Sequence, residues 1–142
     1  MTYTKYSASG NDFVIFHTFL EKDYTNDAIK LCNRTEGIGA DGLVVLVPSK
    51  EADFKWQFYN SDGSHAAMCG NATRAVSHYA FTNNLVTSNE MQFLTGAGLI
   101  KSNVENDIVE TQLTAPKVVK EEFIQSFLLI TKDDIHIFFF IC

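Results

Sequence analysis

Cysteine, proline and tryptophan are scarce in this chain, with three, two and one among 142 residues. Cys32, Cys69 and Cys142 cannot all pair, and none stands in a CxxC or a Cys/His cluster of zinc-ligand spacing, which argues against structural disulfides and against a metal. No window of about 18 apolar residues occurs, so no membrane-spanning helix is expected. The opening Met1-Thr2-Tyr3-Thr4-Lys5-Tyr6 lacks the charged-then-apolar pattern of a secretory signal, and the cytoplasm is the expected compartment. Positive charge is short as well: 11 Lys and Arg stand against 17 Asp and Glu, a net charge of −6, and the basic residues are scattered singly. That balance repels phosphate backbones and anionic lipid, and no aromatic-plus-basic pattern offsets it. Neither nucleic acid nor a membrane is an expected partner.

What is present suits one ordinary domain: 46% hydrophobic and 20% charged residues over this length are enough for a core. Tyr3 to Tyr6 and Phe13 to Phe16 read as strands, with Ser7-Ala8-Ser9-Gly10-Asn11 as their connection. Thr25 or Asn26 is placed to cap a short helix with Ala28, Ile29, Leu31 and Cys32 on its apolar side. Leu43 to Val47 suits a strand buried on both faces, and Phe54, Trp56 and Phe58 alternate with Lys55, Gln57 and Tyr59 as a half-buried one. The spacing of Ala72, Ala75, Val76, Tyr79 and Ala80 predicts a helix over Gly70 to Phe81, with Thr73, Arg74, Ser77 and His78 on its other side and Asn83-Asn84 as its stop. Strands are expected at Met91 to Leu94, Leu99 to Val104 and Ile108 to Leu113, the last two joined as a hairpin through Glu105-Asn106-Asp107. The fold class is therefore α/β of the mixed (α+β) kind, with more strand than helix.

Cys69 is the residue to which the chemistry points. A cysteine just ahead of a helix lies at the positive end of the helix dipole, beside N–H groups without intrahelical partners, and both features favour thiolate over thiol. Gly70 lets a ligand approach the backbone, and the amides of Gly70 and Asn71 are suited to hold a carboxylate or a developing oxyanion. One turn thus offers a base and an anion clamp, as proton removal beside a carboxylate requires. Acyl transfer fits less well, because no His with an Asp or Asn orders the thiol. The competing reading is that a lone cysteine simply packs. Cys32, on the apolar side of its helix, is read that way. Asn11 follows Gly10 at a strand entrance, where its side chain either meets a ligand or closes an Asx turn. Gly37-Ile38-Gly39-Ala40-Asp41-Gly42 lacks the Lys-Ser/Thr of a P-loop and a following helix, which excludes nucleotide binding there. The four histidines are dispersed and read as structural or exposed.

The succession Ser9-Gly10-Asn11-Asp12-Phe13, Gly37 to Gly42, Phe58-Tyr59-Asn60-Ser61-Asp62-Gly63-Ser64 and Met68-Cys69-Gly70-Asn71 resembles the diaminopimelate epimerase family in order and spacing. The resemblance implies a domain with a central helix wrapped by a curved mixed β-sheet. It further implies an isomerase that needs no pyridoxal or other cofactor and interconverts LL- and meso-diaminopimelate in lysine biosynthesis. Two cysteines on opposite sides of the substrate Cα act as thiolate base and thiol acid in that family. Cys69 matches the first of them, Gly70 and Asn71 match carboxylate-binding positions, and Asn11 and Asn60 match substrate-contacting asparagines. Ala72 stands where the family motif usually continues with glycine, and Gly42 stands where some members carry a substrate-contacting Gln.

On this resemblance residues 1 to 123 form the family's N-terminal domain. Residues 124 to 142 are an atypical apolar tail, to be buried by this chain or a partner or else the mark of a truncated or shifted reading frame. No segment of the 142 residues matches the family's second domain with its second cysteine. A racemase or isomerase of another small amino or hydroxy acid is the nearest alternative. A non-catalytic module that self-associates through its exposed cleft face or apolar tail is the alternative from another class. Since a proton must be returned from the opposite face, the 142-residue polypeptide alone is expected not to epimerise diaminopimelate at a useful rate. An epimerase assay on the purified chain that gives an ordinary enzymatic rate would refute this.

Overall fold

The computed structural model describes residues 2–113. Its elements run β1 (Thr4–Ala8), β2 (Asn11–His17), α1 (Thr25–Cys32), β3 (Gly42–Val47), β4 (Phe54–Asn60), α2 (Gly70–Thr82), β5 (Glu90–Thr95), β6 (Gly98–Glu105) and β7 (Ile108–Thr111). The seven strands form one sheet in chain order. β2 with β3 and β4 with β5 are parallel, and the other neighbouring pairs are antiparallel.

The first hairpin is tighter than the composition of its connection suggests. Ser9 and Gly10 both have positive φ, 49° and 86°, as the two central residues of a type I′ turn do. β1 therefore runs on to Ala8 and β2 already starts at Asn11, these two being register partners. Asn11 is thereby the first residue of a strand.

Two clusters of buried side chains lie on the two faces of the sheet. Phe13, Ile15, Val44, Leu46, Phe54, Trp56 and Phe58 pack with α2 on one face, together with Phe93 and Ile100. Val14, Phe16, Leu43, Val45 and Val47 alternate with them and pack with Ala28 and Cys32 of α1 on the other. β3 is accordingly buried at every position, as its unbroken apolar run predicts. α2 touches β1 and β2 at one side of the sheet and β6 and β7 at the other, so the sheet curls around the helix.

This enclosure corrects the sequence-based account of α2. Ala72, Ala75, Val76, Tyr79 and Ala80 are buried as expected, but Thr73 and Ser77, assigned to the open side, are also fully buried. A curled sheet covers more of the helix surface than the single stripe that helical periodicity identifies. The two hydroxyls remain satisfied by donating to the carbonyls of Gly70 and Thr73, each at 2.8 Å. The stop is where the sequence places it. Asn84 has φ 55°, its N–H reaches the Phe81 carbonyl, and that of Leu85 reaches the Ala80 carbonyl. These bonds make a Schellman motif with Asn in the left-handed position.

The start of α1 also differs. Tyr24, not Thr25 or Asn26, occupies the cap position, and Asp23 Oδ1 accepts from both the N–H and the hydroxyl of Thr25. Ala28 and Cys32 are buried and Leu31 partly so, whereas Ile29 is exposed. Tyr59, on the polar alternation of β4, is fully buried because α1 covers that face, and its hydroxyl accepts the Tyr24 N–H at 3.1 Å. β7 ends at Thr111, two residues short of the strand expected to Leu113. The expectations for residues 124 to 142 lie outside the described residues. Among the described residues, no helix is long and apolar enough to cross a membrane.

Phe93 is fully buried and stacks on Phe54 with ring centroids 4.8 Å apart, whereas Phe19 is 93% exposed. Truncating a buried Phe costs about 3–5 kcal/mol through lost transfer energy and the cavity left behind. Phe93→Ala is therefore expected to lower the urea midpoint sharply, and Phe19→Ala to change stability by under about 0.5 kcal/mol. Equal effects of the two would contradict the placement of the core.

Candidate active site

Strand direction gathers the candidate residues at one end of the sheet. The starts of β2 and β3 lie at the same end of the sheet, with Phe13, the third residue of β2, paired to Gly42, and Gly42 is paired across the antiparallel ladder to Asn60, the last residue of β4. The head of α2 reaches the same end, because Asn71 Nδ2 donates to Asn11 Oδ1 at 2.6 Å. Asn11, Cys69, Gly70 and Asn71 thus come together directly. Asn60 reaches this end but not this cluster: its exposed amide donates to Ser64 Oγ at 2.9 Å, within its own turn.

Cys69 is the N-cap residue of α2, in extended conformation (φ −149°, ψ 122°), and its carbonyl accepts the Thr73 N–H at 2.9 Å. Its free thiol is half-buried and makes no capping bond. Gly70, Asn71 and Ala72 then carry first-turn N–H groups that no preceding carbonyl of the helix can reach. The first turn contains no acidic residue, so the helix itself supplies no carboxylate to its positive end. A Cβ at Gly70 would meet only Leu113, at 3.4 Å or more, so internal packing does not demand glycine there. Gly42 is different. A Cβ there would lie 2.7 Å from the Phe58 ring and from the Tyr59 carbonyl, so no longer side chain fits without a shift of the strand.

Charged residues that the sequence did not single out hold this end in place. Arg34 grips Asp12 with two hydrogen bonds, at 3.0 and 2.8 Å, and reaches Asp41 Oδ1 at 2.8 Å. Lys5 adds an ion pair to Asp12 at 3.2 Å. The guanidinium beside Asp12 is the main cause that holds its carboxyl well below the usual carboxylate range, and the same contact pushes Arg34 further up. Asp41 Oδ2 in turn accepts the Asn11 side-chain amide at 3.0 Å and the Asp12 N–H at 3.1 Å. On the helix side, Arg74 donates to Asn71 Oδ1 and to Ser9 Oγ. Asp12 and Asp41 lie within the motifs noted in the sequence, so a signal existed for them. Arg34 and Arg74 stand alone in sequence, and only the fold reveals what they touch.

The remaining thiol and imidazoles have other surroundings. Cys32 is buried on the α1 face of the sheet, and desolvation pushes its thiol up to about 11. His17 bonds the Tyr79 hydroxyl at 2.8 Å, His78 that of Tyr6 at 3.1 Å, and His65 lies against the Tyr59 ring at 4.5 Å between centroids.

A family model described as "Diaminopimelate epimerase" matches residues 3–119. The chain is 60% identical over 119 residues to a diaminopimelate epimerase of a Nitratiruptor species, covering 84% of this chain and 47% of that protein. It is 57% identical over 123 residues to the one of Campylobacter lari, covering 87% and 49%. The chain therefore spans about half the length of the curated relatives it matches. Among solved structures, a hydroxyproline epimerase from Agrobacterium vitis superposes with a TM-score of 0.59 at 12% identity, over 74% of this chain and 38% of that one. At that identity the likeness is one of fold.

Cys69 is half-exposed at a helix head and Cys32 is buried behind a sheet, so the two thiols differ in their access to a reagent. At neutral pH iodoacetamide is expected to label Cys69 well ahead of Cys32, as read by peptide mass mapping. Cys32 should react only as the pH nears its raised value of about 11 or once the protein unfolds. Equal labelling of both in the folded state would remove the physical basis for assigning Cys69 a reactive role.

Proposed function

The chain belongs to the diaminopimelate epimerase family, and from that premise we propose that it supplies the first-cysteine half of a site that interconverts LL- and meso-diaminopimelate. In this reading Cys69, as thiolate, takes the α-proton of the substrate. The first-turn amides of Gly70 and Asn71 hold the α-carboxylate, and they bind it more strongly as negative charge develops on it. Asn11 and Asn60 contact the remainder of the substrate. The observation that carries the proposal is the placement of Cys69 as N-cap of α2, with its first turn free of acidic side chains.

The physical sense of that placement lies in the weakness of the acid to be ionised. An α-proton beside a carboxylate is far less acidic than a thiol, so the base alone does not suffice and the developing carbanion must be stabilised electrostatically. Preformed N–H donors at such a position contribute about 3–4 kcal/mol each when tested by removal. The helix dipole acts in the same direction, because it favours negative charge both on the sulfur and on the carboxylate. No pyridoxal or metal has a part in this scheme. Direct proton transfer between sulfur and carbon is the whole of the chemistry.

Inversion needs a second acid on the far side of the Cα. Cys32 does not qualify, since it ends α1 and is buried against the face of the sheet opposite α2. The reading therefore requires the opposing thiol to come from a part of the protein beyond the described residues, as the half-length match to full relatives accords with. Lysine biosynthesis and a cytoplasmic setting follow from the same reading.

Diaminopimelate is expected to protect Cys69 from iodoacetamide in a concentration-dependent way, while lysine, which lacks the second carboxylate, protects less. Cys69→Ser should abolish the label at this position and leave binding largely intact, as followed by the tryptophan fluorescence of Trp56 or by calorimetry. Absence of protection at any concentration, or equal protection by unrelated amino acids, would defeat the substrate assignment.

A further inference from the structure

The polar side chains at the head of α2 form one chain of hydrogen bonds in which every donor points the same way. Arg74 donates to Asn71 Oδ1. Asn71 Nδ2 donates to Asn11 Oδ1 at 2.6 Å, and Asn11 Nδ2 donates to Asp41 Oδ2 at 3.0 Å. A cation thus stands at one end and a carboxylate at the other. Asp41 is itself fixed by Arg34, which bonds its Oδ1 at 2.8 Å, and by the Asp12 N–H, which bonds the same Oδ2 as Asn11 at 3.1 Å. Arg74, by contrast, has no carboxylate within ion-pair distance among the described residues, and its charge faces the Asn71 amide.

A primary amide exchanges its donor and acceptor ends on a half-turn flip. Here a flip of Asn11 would set its NH2 against that of Asn71 and its oxygen against the Asp41 carboxylate. A flip of Asn71 would set NH2 against the Arg74 guanidinium. Only one orientation of each amide satisfies both of its neighbours, and bonds aligned in one direction polarise one another. The relay also spans elements far apart in sequence: the loop before β3, the first residue of β2 and the second residue of α2.

Resting on the reading of this end as a diaminopimelate site, we propose that Asp41 and Arg74 are positioning residues that orient Asn11 and Asn71 through a one-way relay and lock the head of α2, with Cys69, to the entrance of β2. Each amide keeps one N–H and one lone pair for a ligand, and the relay decides which side of each amide offers which. Neither Asp41 nor Arg74 need touch the substrate for this.

The direction of donation separates such a relay from a network that merely ties segments together. In the ¹⁵N-labelled 142-residue chain, Asp41→Asn is expected to move the side-chain amide resonances of Asn71, two links away, while backbone signals of β5 and β6 stay in place. Asn11→Asp alone sets two carboxylates face to face and disrupts the relay. The double exchange Asn11→Asp/Asp41→Asn keeps the net charge and lets position 41 donate to position 11, at the cost of the acceptor for the Asp12 N–H, so the Asn71 resonances should return part of the way towards their original positions. Unmoved Asn71 resonances in Asp41→Asn, or a double variant no nearer the original than the singles, would overturn the proposal. Should Asp41→Asn not fold, Arg74→Met tests the opposite end: the Asn11 side-chain amide must move, and an unmoved one overturns the relay equally. Diaminopimelate is absent from every arm. Protection of Cys69 without these coupled shifts therefore rejects the relay alone, and coupled shifts without protection reject the substrate alone.

Discussion

Helix α2 carries little bulk on its enclosed surface. Ala72, Ala75 and Ala80 contribute hardly more than backbone, Thr73 and Ser77 fold their hydroxyls back onto the helix, and only Val76 and Tyr79 project far among its fully covered residues. Small side chains let strands approach from several directions at once, and the large aromatic residues come from the sheet instead, with Phe13, Phe54, Trp56, Phe58 and Phe93. The division of labour between a slender helix and a bulky sheet governs the curl. Curl in turn brings β1 and β7 against the same helix and sets its head beside the entrances of β2 and β3. Were α2 lined with Leu and Phe, the sheet would have to flatten, and the asparagines of β2 and α2 would no longer meet.

Much of this fold can be read from the residues, because the two periodicities on which such reading depends are clean. Strict alternation marks β4, an unbroken apolar run marks β3, and the spacing of small apolar residues marks α2. What escapes is whatever depends on a second covering layer. Tyr59, Thr73 and Ser77 lie on faces that periodicity assigns to solvent, and only the arrival of α1 or the curling of the sheet buries them. Turn geometry is the other blind spot. Ser9-Gly10 has the chemistry of a loop of any length, and its contraction to two residues follows from strand pairing that no local pattern expresses.

The site is legible in a similarly uneven way. A cysteine followed by glycine and a helical pattern announces its own position, and Cys69 does stand at the N-cap. Asn11 and Asn71 stand out as members of motifs, but 60 residues separate two amides that the fold bonds to each other. The arginines that hold them carry no local signature. Arg34 follows α1 and Arg74 sits on a helix face like any solvated cation, and long-range pairing alone gives them a purpose. Asn60 marks the converse: its motif membership is plain, yet its side chain bonds within its own turn.

The contacts of α2 with strands on both sides of it in the sequence bear on how the chain is made. When residues up to Thr82 have left the ribosome, β1 to β4 are available to the helix, but β6 and β7 have not yet emerged. The nascent helix meets half of its seat and leaves the other flank, with Ile100 and Val104 still to come, open to water. Pairing that spans so much of the chain is slow, and an intermediate with an uncovered apolar helix invites chaperones or misassembly. The segments that carry the asparagine pair thus emerge before β6 and β7, the strands that cover the far flank of the helix.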